Sequence, residues 1–124
     1  VHRLLAEASE DSDSKDTNLK QGREYYNQSL FIAEGQKNGT SILFALSGLL
    51  ENFILSESYE KCEEIFKKIK ENQESIKKNA IPFSKDAVEA SLDKLKQKAP
   101  KNQFNSEIKK VKNILSEQPQ DIGG

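Results

Sequence analysis

The sequence predicts an all-α protein, a compact bundle of five to six antiparallel helices around a central apolar helix at about residues 41–55. Apolar side chains recur at spacings of three and four along most of the chain, which is the helical period. No stretch alternates apolar and polar residues in the way that a half-buried strand does. Three prolines, Pro82, Pro100 and Pro119, fall between or after the helical patterns, where a helix-breaking residue is tolerated.

The N-terminal region is predicted to form two helices separated by a loop. A short helix is expected in residues 1–9. The segment EDSDSKDTN, residues 10–18, is polar and acidic, a composition typical of a loop. Asp16 or Thr17 is expected to cap a second helix that runs to about Lys37. One face of this helix carries the apolar residues Leu19, Tyr26, Leu30 and Ala33.

Residues 41–55 are apolar on nearly every side of a helix. A membrane span needs about 20 predominantly apolar residues. The run here is shorter, and Glu51 and Asn52 interrupt it. A helix that is apolar almost all round must be covered by neighbours on several sides. We therefore predict that this segment is the core of the bundle and that the chain has no transmembrane segment.

Turn and capping residues predict the remaining boundaries. The dipeptide Asn38-Gly39 favours left-handed backbone angles before the central helix, and Thr40 or Ser41 is expected to cap that helix. Ser84 is the expected cap of a later helix. These later helices are predicted at about 58–78, 85–98 and 103–117. The resulting organisation is a short helix and acidic loop at 1–18, a helical bundle domain at 19–117 and a disordered tail at 118–124.

Two consecutive predicted helices carry large and aromatic residues in a regular order. These residues are Leu46, Leu49 and Phe53 in the first helix, and Tyr59, Cys62 and Phe66 in the second. This pattern over residues 46–69 resembles one helical hairpin of a tetratricopeptide repeat. A step of 34 residues towards the N-terminus pairs Tyr25 with Tyr59 and Ile32 with Phe66, whereas a step towards the C-terminus gives no match. An unrelated bundle of four to six helices is the alternative.

The charge balance argues against a general binder of nucleic acid. The net charge is −1 although 31% of the residues are charged, and affinity for phosphates comes mainly from neutralising many of them. Residues 1–58 carry 5 basic against 9 acidic side chains, a balance of −4, whereas residues 59–117 carry 14 against 10, a balance of +4. The two halves could attract each other, or the basic half could meet an acidic partner.

Few side chains could support catalysis or hold a metal. His2 is the only histidine and Cys62 the only cysteine, so neither a histidine-activated nucleophile near the core nor a four-ligand zinc site is expected. The segment DSDSKD, residues 11–16, lacks the central glycine and closing glutamate of a calcium loop. No glycine-rich phosphate loop occurs. We therefore expect a non-enzymatic protein without a cofactor or a bound metal.

The predicted partner is another protein. The candidate binding surface consists of Tyr25, Tyr26, Lys67, Lys68 and Lys70, and the predicted role is a protein–protein interaction module, a scaffold or a subunit of a larger assembly. The alternative is an exported helical-bundle surface protein, such as an adhesin or a host-factor binder, or an extrinsic subunit of a membrane complex.

The first residue is Val1 rather than methionine. We therefore expect a processed protein or part of a longer chain. The expected form is soluble, and both a cytoplasmic location and export followed by removal of a leader stay open.

Overall fold

The computed structural model describes residues 2–99 and 102–116, with side chains from residue 15 onward. Within these ranges the chain forms six α-helices and a short 3₁₀ turn, with no strand. In chain order the elements are α1 (His2–Gln36), α2 (Gly39–Leu55), the 3₁₀ turn (Tyr59–Lys61), α3 (Cys62–Glu71), α4 (Gln73–Asn79), α5 (Pro82–Lys98) and α6 (Asn105–Ser116). The predicted all-α fold class is confirmed. The tail predicted at 118–124 lies outside the described residues.

The central position predicted for the apolar helix is confirmed, because α2 packs against α1, α3, α4 and α5. Six of its larger apolar side chains are almost wholly buried. They are Ile42, Leu43, Leu46, Leu49, Leu50 and Phe53. Each such side chain stabilises the fold by roughly 1.5–3 kcal/mol relative to an exposed position. None of the described helices is both long enough and apolar enough to cross a membrane.

The loop predicted at residues 10–18 is wrong, because these residues are helical and α1 is one continuous helix. The segment is polar, but it contains neither glycine nor proline. Aspartate, serine and asparagine cost only about 0.7 kcal/mol or less each, relative to alanine, inside a helix. A polar composition is therefore not sufficient evidence for a loop when glycine and proline are absent. The domain boundary predicted after residue 18 falls within α1.

The turn between α1 and α2 differs in detail from the prediction. Lys37, rather than Asn38 or Gly39, adopts the left-handed backbone, with a φ of 55°. Asn38 is the cap of α2, because its side-chain oxygen accepts a hydrogen bond from the Ser41 backbone N–H at 3.1 Å. Thr40 and Ser41, the predicted caps, lie in the first turn of the helix.

Asn79 connects this turn to the end of α4. Its Oδ1 accepts a hydrogen bond from the Gly39 N–H at 2.5 Å, and its Nδ2 donates to the Lys37 carbonyl at 3.0 Å. A Cβ on Gly39 would lie 2.5 Å from the carbonyl oxygen of Ser75. The missing side chain at Gly39 therefore allows α4 to approach α2 closely.

The single helix predicted at about 58–78 is divided into the 3₁₀ turn, α3 and α4. The helical path breaks at Asn72, whose side-chain amide donates to the Lys68 carbonyl at 2.9 Å and to the Glu34 carboxylate at 2.7 Å. Short polar side chains that bond to nearby backbone groups compete with helix continuation in this way.

The start of α5 also differs from the prediction. The helix begins at Pro82 with Ile81 as its cap residue, whereas a helix from residue 85 with Ser84 as its cap was expected. Proline suits the first helical position because its missing N–H would have had no partner there. The Ser84 hydroxyl donates instead to the Ile81 carbonyl at 2.6 Å.

The helices form two layers, α1, α2 and α5 in one and α3, α4 and α6 in the other. In the first layer α2 and α5 run parallel. Two contacts show this direction: Phe44 contacts Phe83 near the start of both helices, and Glu51 pairs with Lys94 further along both. The intervening α3 and α4 return the chain to the starting end of α2. The antiparallel arrangement predicted for neighbouring helices therefore does not extend to α2 and α5.

Candidate functional site

The three lysines of the predicted binding surface lie towards different neighbours. Lys68 is 3.3 Å from the Glu34 carboxylate on α1, and Lys70 is 2.9 Å from the Glu107 carboxylate on α6. The hydrogen bond from Lys70 is the main reason that the pKa of Glu107 is lowered. Lys67 lies at the rim of a groove between α1 and α3. Lys68 and Lys70 therefore connect α3 to α1 and α6.

The two predicted tyrosines lie together on α1. Their ring centroids are 5.4 Å apart in an edge-to-face arrangement. Tyr25 is 65% exposed, whereas Tyr26 is half-buried against α2. A Cβ on Gly48 of α2 would overlap the Tyr26 ring, so the ring occupies the space that the glycine leaves. Both tyrosines therefore belong to the layer formed by α1, α2 and α5.

A shallow groove of about 440 Å³ lies beside Tyr26, between α1 and α2. Its floor includes Gly22 and Gly48, and Phe44 stands at its edge. The Phe44 ring in turn contacts the Phe83 ring on α5, with centroids 6.1 Å apart. Phe83 is 71% exposed. We call this side of the layer the aromatic face, and its members are Tyr25, Tyr26, Ile32, Phe44, Leu55 and Phe83.

The aromatic face carries little charge, although 31% of the chain is charged. Residues three or four positions apart share one side of a helix, which gives one outward stripe for each helix. The α1 stripe consists of Asn18, Gln21, Tyr25, Gln28, Ile32 and Gln36; the α2 stripe of Ser41, Phe44, Gly48, Glu51 and Leu55; and the α5 stripe of Phe83, Asp86, Ala87, Ala90 and Lys94. Of the three charged members, Glu51 and Lys94 pair with each other at 3.1 Å. The third, Asp86, is exposed and lies by helical spacing on the side of α5 that faces away from α2.

Except for Lys15, the charged side chains of α1 lie on its other side. Within the part of α1 whose side chains are described, they are Asp16, Lys20, Arg23, Glu24 and Glu34. Lys15 and, on α5, Lys98 lie by helical spacing at the Leu55 end of the aromatic face. The charge is therefore separated by side within α1, and the charges of the aromatic face outside the Glu51–Lys94 pair lie at its rim.

Buried polar side chains fix the three helices of this layer relative to one another. On one side of α2, the Asn52 side-chain amide donates to the Leu19 carbonyl of α1 at 2.8 Å. On the other side, the Ser47 and Ser91 hydroxyl oxygens are 2.8 Å apart, and Ser91 Oγ is 3.0 Å from a Glu51 carboxylate oxygen. Every buried polar side-chain atom in the described part of the chain has a partner. The aromatic face is thus built on helices held in a defined register.

The groove between α1 and α3 has a different character. Its volume is about 400 Å³, and its apolar floor is almost wholly buried. The floor residues are Leu30, Leu46, Leu49, Phe53 and Ile65. Its rim carries the charged residues Glu64, Lys67, Lys68 and Glu71. This groove offers a partner less exposed apolar surface than the aromatic face does.

Cys62 is a core residue rather than a reactive one. Its side chain is fully buried, and burial, with a smaller contribution from the Glu60 charge, raises the pKa of the thiol to about 12. Nucleophilic attack and metal binding both need the thiolate, which this environment disfavours. Among the side chains described, no three His, Cys, Asp or Glu residues come together as metal ligands.

Comparison with protein-family models, with curated proteins and with solved structures finds no match to this chain. The resemblance of residues 46–69 to a tetratricopeptide hairpin therefore stays a prediction. The repeat step paired Ile32 with Phe66, and these two residues have different environments, since Ile32 is exposed and Phe66 is buried.

Sequence reasoning singled out Tyr25 and Tyr26 but missed Ile32, Phe44 and Phe83. The uncharged stripe of α1 is visible in the sequence and could have added Ile32. Phe44 and Phe83 are 39 positions apart, and their contact depends on the parallel packing of α2 and α5. No local pattern in the sequence predicts that packing.

Proposed function

We propose that this chain is a non-enzymatic α-helical module that binds another protein through the aromatic face. The supporting observation is the position of exposed aromatic and aliphatic side chains on the outward side of the α1–α2–α5 layer. The charged stripe members of this side are the paired Glu51 and Lys94, together with Asp86 on the outer side of α5. The centres of protein interfaces are depleted in charged residues and enriched in aromatic ones. Exposed apolar patches larger than a few hundred Å² are uncommon on proteins that act as monomers.

The packing beneath this surface also favours binding. Tyr26 is seated on Gly48, and buried hydrogen bonds from Asn52 and Ser91 hold α1 and α5 to α2. A surface that is already ordered loses little conformational entropy when a partner binds. The same surface would serve an interaction module within a larger assembly or an exported surface protein, so the proposal is independent of location.

A matched pair of substitutions tests this proposal. Phe83→Glu places a charge within the aromatic face, and Phe31→Glu makes the same change at a residue that is 78% exposed on the other side of α1. Both side chains are largely in solvent, so both variants should fold, which circular dichroism checks. We expect Phe83→Glu to abolish capture of partner proteins by the immobilised chain, because a charge in an interface centre must be desolvated. Phe31→Glu should retain it.

The partner set is read by quantitative mass spectrometry of an extract from the source organism. Proteins retained by the native chain and by Phe31→Glu but lost with Phe83→Glu are the expected result. Equal losses with both variants, or no loss with Phe83→Glu, would contradict binding through the aromatic face.

A further inference from the structure

The charge distribution of the aromatic face suits contact with an identical surface. Like charges brought together across an interface weaken binding. On the aromatic face, Glu51 and Lys94 neutralise each other within one copy. Lys15, Lys98 and Asp86, which lies on the outer side of α5, are at its rim, where charges remain in water and are screened. Two copies can therefore meet without opposing charges of the same sign at the centre.

The size of the aromatic face is close to what a stable dimer needs. The 17 residues of α2 span roughly 25 Å at about 1.5 Å per residue. Three helices side by side, with axes about 8–10 Å apart, are about 30 Å wide. The resulting area of roughly 750 Å² compares with about 800 Å² per partner in a typical specific interface.

The aromatic face carries both a protruding ring and a groove. Phe83 protrudes on α5, and the groove with the Gly22 and Gly48 floor lies on the opposite side of Phe44. A two-fold axis can lie in the plane of the interface, midway between the Phe83 ring and the groove. Rotation about this axis places the Phe83 ring of one copy opposite the groove of the other copy. The Phe83 ring of each copy then enters the groove of the other. Such self-complementary contacts are the basis of two-fold symmetric dimers.

We infer that the aromatic face binds a second copy of this chain, with Phe83 of each copy seated in the groove between α1 and α2 of the other. This inference rests on the proposed function and specifies its partner. It also gives the exposed ring and the glycine-floored groove one common role.

Sedimentation equilibrium of the full chain over a wide concentration range tests the inference. The native chain should show a monomer–dimer equilibrium. Phe83→Glu changes the protruding ring, and Leu55→Glu changes the far end of the groove, where the native side chain is 60% exposed. Each should raise the dimer dissociation constant at least about tenfold, as loss of a central interface residue does, whereas Phe31→Glu should leave it unchanged.

Three outcomes would overturn self-association through this surface. They are a native chain that stays monomeric at the highest concentration, a dimer that Phe83→Glu and Leu55→Glu do not weaken, and a dimer that Phe31→Glu weakens equally. A monomeric native chain whose capture of other proteins is still lost with Phe83→Glu would overturn the inference but leave the proposed function standing. If Phe83→Glu weakens neither dimerisation nor capture of other proteins, both the inference and the proposed function are overturned.

Discussion

At the scale of single residues, the contact between Tyr26 and Gly48 gives the aromatic face its shape. The ring lies where any other residue at position 48 would place its Cβ. Tyr26 is thereby drawn against α2, and Tyr25 packs edge-on against it. Glycine inside a helix costs about 0.5–1 kcal/mol relative to alanine. Gly48 therefore lowers the stability of α2, but it leaves the space in which the Tyr26 ring and the groove lie.

A double-mutant cycle tests this contact. Gly48→Ala gains helix propensity but forces the Tyr26 ring to move, and overpacking of this kind costs about 1–3 kcal/mol. In the Tyr26→Ala background the clash is absent, so the same change should stabilise the fold by up to about 1 kcal/mol. Urea unfolding of the four proteins measures the coupling. Equal effects of Gly48→Ala in both backgrounds would show that the ring does not occupy this position.

Glycine and asparagine at the turns show where sequence reasoning reaches its limit at this scale. The Asn38-Gly39 pair correctly indicated a turn, yet the left-handed residue is Lys37. Gly39 is required instead by the close approach of Ser75, which lies in a helix distant in sequence. A local pattern can locate a turn, but the reason for each residue there depends on what packs against it.

At the scale of elements, α2 combines two roles. Most of its circumference is buried core, and one stripe, which includes Phe44 and Leu55, belongs to the aromatic face. This division explains why residues 41–55 are apolar on nearly every side. The core sides pack against α1, α3, α4 and α5, and the remaining stripe contributes to the proposed binding surface.

The two roles of α2 predict that the same substitution destabilises the fold strongly at one position and hardly at all at another. Leu49→Ala removes a buried side chain and should destabilise the fold by about 2–5 kcal/mol. Leu55→Ala, on the same helix but 60% exposed, should change stability by no more than about 0.5 kcal/mol. Chemical denaturation followed by circular dichroism measures both. An unchanged unfolding midpoint for Leu49→Ala would mean that α2 is not the central helix.

The elements that sequence analysis predicted well are those with strong local signals. The apolar run of α2 predicted both its helical state and its central position. Residues 10–18 lacked an apolar stripe and were assigned to a loop, although nothing there breaks a helix. The division of residues 58–78 at Asn72 depends on a bond to Glu34 of α1, 38 positions away. Tertiary contacts of this kind leave no mark on local periodicity.

At the scale of the whole molecule, the acidic half and the basic half of the sequence form ion pairs with each other. Glu34 with Lys68, and Glu51 with Lys94, are ion pairs that join the acidic half to the basic half. Exposed pairs of this kind contribute at most about 1 kcal/mol each. Their larger consequence is the arrangement of the surface, because pairing of Glu51 with Lys94 leaves the aromatic face without net charge at its centre.

The central claim is that the aromatic face is the surface by which this molecule binds. Site-specific photo-crosslinking tests it most directly, with p-benzoyl-phenylalanine placed at position 83 in one variant and at position 31 in another. Both native residues are exposed phenylalanines, so the two variants differ only in which side of the layer carries the probe. Irradiation in extracts of the source organism should give discrete adducts, to a second copy or to another protein, from position 83 and only background from position 31. Adducts from position 31 as abundant as those from position 83, or none from position 83, would contradict the claim.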